Sequence, residues 1–252
     1  MPDALRLAIG TLTRLPVPAP RSMSRGTTAW AMGLAPLVGA LLALVCGLPL
    51  LIDSQGSRSL LLAALAIALL AFATRAIHLD GLADTADALG SGMPAAQALE
   101  IARKSDIGPF GVIVIVLNLL VQAFALSACT DLGSGLLALL LAAVLGRVAL
   151  TWGCTPHWPA ARRDGLGASV AGSVPIAVPI IWTLILCGLG YLALGLTGLV
   201  AAVLALSAGQ LVLVVARRRF GGVTGDVLGA VVECATSTAL ISFALLLPYW
   251  GQ

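Results

Sequence analysis

The sequence predicts an all-α polytopic integral membrane protein: one helical bundle of about seven transmembrane helices (between about six and eight), with an interfacial helix at its N-terminus. Three observations carry this. Hydrophobic residues make up 60% of the 252 positions and charged residues only 10%. Mean hydropathy is +1.05, and apolar runs of membrane-spanning length recur along the chain. The few charges are also distributed unevenly, as described below. About 20 apolar residues at 1.5 Å each cross a hydrocarbon core, and no composition shift divides the chain, so residues 1–252 read as a single domain in contact with the lipid bilayer.

In chain order, residues 1–29 form an arm with no signal peptide. Its "DALRLAIGTLTRL" places apolar residues on one helical face, which suits a helix lying flat at a membrane surface. Spans follow at 30–52, 59–77, 110–128, 135–153, 175–194, 196–216 and 235–250, the last of them short. The Gly-rich "GLGYLALGLTG" is read as a tight turn joining the fifth span to the sixth. Pro36, Pro49 and Pro179 fall in or near helix ends, where neighbouring helices satisfy freed carbonyls. The five cysteines are scattered without CxxC or Cys/His spacing, which argues against a zinc site or a disulfide framework.

Sidedness follows from the basic residues. With the N-terminus inside, the arm and the loops 78–109, 154–174 and 217–234 all face the cytoplasm. They carry Arg6, Arg14, Arg21, Arg25, Arg103, Lys104, Arg162, Arg163 and Arg217 to Arg219, while the outer turns carry Arg58. This is the positive-inside pattern. The same side holds most of the acidic residues, so the work of the protein is expected at the cytoplasmic face of an inner membrane. Nucleic acid is not among the expected partners; a homo-oligomer or docking of other enzymes is open.

Three segments carry candidate chemistry. In "HLDGLADTADALG", Asp80, Asp84 and Asp87 are four and three residues apart, on one helical face. Like charges so placed repel. A divalent cation relieves that repulsion, and oxygen-only ligands suit Mg²⁺, with Mn²⁺ as the alternative. His78 precedes the cluster, and Gly81 and Gly90 would let a large ligand approach. In "ARKSDIGPFG", Arg103 and Lys104 could meet phosphate oxygens, and Ser105 and Asp106 could cap the next helix. In "RRRFGGVTGDVLGAVVE", Thr224, Gly225 and Asp226 open a helix on which Asp226 and Glu233 share a face. A glycine-rich helix start can offer backbone N–H groups to a phosphate. Arg147, inside a span, needs an anionic partner: a carboxylate or a substrate phosphate. Arg162 lies in a further Arg/Gly segment that could face phosphate. Clustered carboxylates with arginines and a glycine loop on one face point to metal-dependent phosphoryl transfer, which depends on positioning and charge neutralisation.

These motifs resemble one family. "HLDGLADTADALG", "LTRLPVP" with Arg14, "ARRDGLG" with Arg162, and "GGVTGD" with the downstream Glu233 together are similar to the cobalamin synthases (adenosylcobinamide-GDP ribazoletransferases), from about Thr11 to Glu233. The resemblance implies an inner-membrane, Mg²⁺-dependent enzyme. It would join adenosylcobinamide-GDP to α-ribazole or α-ribazole 5′-phosphate and release GMP. It also implies that Asp80, Asp84 and Asp87 belong to the metal and diphosphate site, and that Asp226 and its glycines line it. Asp87 or Asp226 would then accept the ribazole hydroxyl proton. One departure stands out: Lys104 in "RKSDIG" occupies a place where the family tends to carry Asp, and Asp106 sits two positions on. Two rival classes remain. CDP-alcohol phosphotransferases share a membrane-boundary Asp cluster, but Asp84 stands where their pattern has Ala-Arg. A transporter would place its polar groups near the bilayer midplane, whereas these spans read as almost uninterrupted.

Overall fold

The computed structural model describes residues 1–52, 57–103 and 106–250, except the side chain of Trp250. Helices account for the regular structure of the described residues; the one β contact is an isolated bridge between Ala160 and Val223. Among the described residues, five helices are long and apolar enough to cross a membrane, or six when a sharply bent pair is counted as one span.

The amphipathic arm folds as α1 (Asp3–Leu12), burying Leu7, Ala8 and Leu12. It is tied down at its C-terminal end: the Arg14 N–H donates to the Ala73 carbonyl at 2.7 Å, and the Arg75 guanidinium donates to the Gly10 carbonyl at 2.7 Å. The first span is α2 (Arg25–Gly33) continued by α3 (Ala35–Cys46). It stops short of the expected residue 52, because Gly47 packs against Leu136 and Leu139 and the chain tightens into a 3₁₀ turn over Leu48–Leu51. Pro36 and Pro49 sit in first turns, where the missing N–H has no intrahelical partner to lose.

The second span, α4 (Ser59–Ala73), ends in a bend that periodicity does not show. Arg75 and Ala76 both take left-handed backbone angles (φ 55° and 53°), and α5 (Ile77–Gly90) leaves α4 at 87°. Left-handed geometry costs a residue with a Cβ about 1–2 kcal/mol. That strain sits directly before the three aspartates. The segment 78–109, expected as a loop, instead packs α5 against the last span and α7, and adds the short α6 (Ala95–Ile101).

α7 (Pro109–Asp131) and α8 (Gly135–Gly153) follow; α8 has the expected bounds. α8 is central, with 78% of its most apolar stretch buried against 17% for α7. Exposed Val112, Ile113, Val116, Leu117 and Leu120 give α7 an apolar outer surface suited to lipid. After α9 (Gly165–Val170), α10 (Ala177–Phe220) runs for 44 residues but breaks at Leu194–Gly195. Gly195 has φ 58° and ψ −141°, a conformation for glycine. In an unbroken helix Gly190 and Gly198 would lie about 12 Å apart along the axis. Their backbones instead touch, closely enough that a Cβ on Gly198 would fall 2.0 Å from the Gly190 oxygen. The chain therefore doubles back, as the glycine-rich turn predicts. α11 (Gly225–Trp250) closes the bundle as one helix of 26 residues, longer than the expected 235–250.

The four segments expected to share a face do meet. Arg25 donates to the Gly172 carbonyl and Arg217 to the His157 carbonyl. Arg103 pairs with Asp164, and the Ala161 N–H bonds the Val223 carbonyl.

Candidate active site

The site is built where α5 crosses the start of α11. Gly81 makes the crossing possible: a Cβ there would lie 2.6 Å from the Asp226 carbonyl oxygen, and one on Gly229 would lie 3.0 Å from the His78 oxygen. Gly81 is thus occupied by a neighbouring backbone rather than by a ligand, and the space at Gly90 is filled by the Phe110 ring. The crossing sets Asp80 beside Asp226. A third wall comes from the 159–168 segment. It pairs with the 222–224 segment through Val223 N–H to Pro159 O at 2.8 Å, and it presses Gly167 against Thr224 and Gly225.

These elements enclose a cleft of about 320 Å³ lined by Asp80, Arg162, Asp164, Thr224, Gly225 and Asp226, among others. Thr224 is the N-cap of α11. Its hydroxyl accepts the Val227 N–H at 3.2 Å and donates to Asp226 Oδ2 at 3.2 Å. The partial positive charge of that helix start suits an anion. Arg162 brings the basic charge of the lining; it also donates to the Leu99 carbonyl, which docks α6 on the cleft wall. Its buried Nε has no partner among the described residues.

Asp84 lies one turn from Asp80, at the end of the bundle where α5 has turned out of the spanning direction. Burial raises its carboxyl first, then the charges of Asp80, Asp226 and Asp87, against the pull of Arg162, to about 7. The cluster thus has an excess of negative charge. Among the described residues, no three His, Cys, Asp or Glu side chains converge closely enough to hold an ion by themselves. The expected Asp80–Asp84–Asp87 shell is not assembled. Asp87 is turned away and accepts the N–H groups of Gly108 (2.7 Å) and Gly111 (2.9 Å), capping α7. A Cβ on either glycine would strike that carboxylate. Asp80 and Asp226 line the cleft, with Asp84 one helical turn from Asp80, and oxygen donors of this kind would suit a Mg²⁺-type ion. Such an ion keeps waters and shares one or two carboxylates with substrate phosphates, and needs no all-protein cage.

The other expected phosphate ligands are placed elsewhere. Arg14 stacks on Phe72, 4.1 Å from the ring centre. Arg103 is exposed and pairs with Asp164 and Glu100. Arg147 and His78 are buried in the bundle, outside the cleft lining. Lys104, and the cap expected from Ser105, lie outside the described residues. Sequence reasoning missed Asn118 and Gln122, which donate to Glu233 inside the bundle, and Ser237, which bonds both of them. The signal was Asn118 and Gln122 four apart, on one face of an apolar run.

Fold and site together define a membrane-embedded helical protein with an acidic, arginine-bearing cleft at one end of its bundle. A family model described as cobalamin-5-phosphate synthase matches residues 4–244, and the chain belongs to that family. It is 41% identical to the adenosylcobinamide-GDP ribazoletransferase of a Nocardioides species, over 97% of this chain and 99% of that one. It is 38% identical to the protein of that name from Frankia casuarinae, over 96% and 95%. It is 40% identical to the one from Stutzerimonas stutzeri, over 96% and 97%. No solved structure matches the chain.

Proposed function

We infer that this protein is an adenosylcobinamide-GDP ribazoletransferase of late cobalamin biosynthesis, seated in the inner membrane with its cleft toward the cytoplasm. The observation that carries the reading is the joining of Asp80, Asp226 and Arg162 around one cleft in a member of this family. The cytoplasmic orientation rests on the basic residues gathered at that end of the bundle.

The donor is adenosylcobinamide-GDP and the acceptor is α-ribazole or its 5′-phosphate. The α11 start and Arg162 hold the diphosphate of the donor, with the Thr224–Gly225 backbone against it. The ribazole 3′-hydroxyl attacks the phosphorus nearer the cobinamide. A new O–P bond forms, the phosphoanhydride bond breaks, and GMP leaves with the bridging oxygen. The hydroxyl proton passes to a carboxylate. Asp87 spends both oxygens on α7, which leaves Asp226 and Asp84, and the one of these not tied to metal accepts the proton. Mg²⁺, or Mn²⁺, bound by carboxylates of the Asp80, Asp84 and Asp226 set would supply the positive charge that lets a diphosphate approach this acidic cluster.

The test is GMP release by the detergent-purified protein from adenosylcobinamide-GDP and α-ribazole 5′-phosphate, with and without Mg²⁺. GMP that requires both acceptor and metal is the expected result. A folded preparation that releases no GMP, but turns over a CDP-alcohol donor, would overturn the reading.

A further inference from the structure

Below the cleft lies a second polar group that the reaction does not use. Arg147, 3% exposed, projects from α8 into the middle of the bundle, where its guanidinium donates one long bond, 3.3 Å, to the Ala143 carbonyl. Facing it across the interior is Glu233 of α11, seven residues and about 10 Å down the helix axis from Asp226. Glu233 Oε2 accepts Asn118 Nδ2 at 2.9 Å and Gln122 Nε2 at 2.8 Å. Ser237 completes a ring, accepting from Gln122 at 3.0 Å and donating to Asn118 Oδ1 at 2.7 Å.

Buried charges of opposite sign normally meet, yet among the described residues Arg147 and Glu233 form no ion pair within 4.0 Å. Between them is a cavity of about 20 Å³ whose polar lining is Thr74, Gln122, Arg147, Glu233 and Thr236. Thr236 is 3% exposed, and its buried hydroxyl has no partner among the described residues. A cavity holds a water when it offers about 10–15 Å³ or more and two to four polar partners. This one meets both conditions, while the adjacent guanidinium disfavours a cation.

We propose that Arg147 and Glu233 form one ion pair joined through a single internal water, which Thr236 also binds. The water accepts an Arg147 N–H and donates to Glu233, and the Thr236 hydroxyl gains the partner it lacks. The unit links α7, α8 and α11 within the bundle.

Two measurements test this on the full chain in detergent. The first is an experimental density map of the unmodified protein at a resolution that shows waters. A peak within hydrogen-bond distance of Arg147, Glu233 and Thr236 is expected. A collapsed cavity with direct Arg147–Glu233 contact, an empty cavity, or a bound metal ion would each overturn the proposal. The second is a thermal cycle of R147M, E233Q and the double variant. Each single substitution should lower Tm, because it strands the other charge, and the double should lose less than the worse single. Losses that add would overturn the pairing. The map needs no variant to fold, so the proposal stays open to refutation even where R147M does not accumulate.

Discussion

The acidic cleft and the interior cluster draw on the same helix, two turns apart, yet they treat charge in opposite ways. Around Asp226, several carboxylates share one arginine and a cavity large enough for part of a substrate. Around Glu233, two amides close on one carboxylate, a hydroxyl ties those amides together, an arginine stands opposite, and the cavity has room for a single small molecule. One place keeps an unbalanced charge that only a ligand can relieve. The other is balanced within the bundle, where a buried charge needs partners close at hand. An acidic residue on α11 is therefore not defined by its helix face alone. Whether Gly81 and Arg162 border it, or Asn118 and Gln122 do, decides whether it is free to act on a substrate.

The largest effect that separates the two regions is expected in turnover. Asp226→Asn removes a charge and a proton acceptor at the cleft while keeping the shape of the side chain. GMP release should fall by at least about 100-fold, the low end of what a general base contributes, with Tm unchanged or raised. Glu233→Gln should show the reverse pattern: a lowered Tm, and a far smaller change in turnover for the protein that remains folded. An active Asp226→Asn protein would break the contrast, because the cleft carboxylate would then be as structural as the interior one.

How much of this could be read beforehand follows the same division. Most of the spans were legible because membrane-crossing helices leave long apolar runs, although five or six helices of the described residues meet that test rather than seven, and α8 matched its expected bounds. The α10 turn was legible because the φ and ψ of Gly195 need glycine. The gathering of four segments at one end was legible from arginine placement alone. The bend at Arg75–Ala76 was not, since two ordinary residues in left-handed geometry leave no trace in periodicity. Nor was the role of Gly81, because a glycine that admits a ligand and one that admits a helix look the same in sequence. Asp80, Asp84 and Asp87 share a helical face, as their spacing requires, but spacing says nothing about the Gly108 and Gly111 amides that claim Asp87. The spans expected to be almost uninterrupted proved to hold Asn118, Gln122 and Ser237, which face inward around Glu233.

Asp87 supplies the next sharpest test, because it belongs to the aspartate triplet in sequence and resembles the interior cluster in behaviour. Asp87→Ala strands two backbone N–H groups at the start of α7 and should cost about 1–3 kcal/mol in stability. Asp87→Asn, which keeps one acceptor oxygen, should cost less and retain more turnover than Asp226→Asn does. The check is a pair of thermal unfolding curves alongside a Mg²⁺ titration of activity. A cap moves the first and leaves the metal concentration for half-activity in place. A large shift in that concentration would return Asp87 to the metal set.

The smallest effect concerns the stability of the cleft itself. The Asp84 carboxyl sits near 7 in the folded protein, against 3.8 for an ordinary aspartate. Between those values the folded state binds more protons than the unfolded one, so stability falls as pH rises through the window. Below pH 4 the group is neutral in both states and contributes nothing. Above 7 it is charged in both, and the folded state bears the repulsion of Asp80, Asp226 and Asp87. Asp84→Asn should therefore lose activity yet unfold a few degrees higher than the unmodified protein at pH 8 without metal, with the gap closing at pH 4. Adding Mg²⁺ at pH 8 should narrow the gap from the other side, since an ion among the carboxylates relieves what the amide relieves. A variant less stable at pH 8 would mean that the charge of Asp84 is already compensated within the protein, and that the cleft follows the rule of the interior after all.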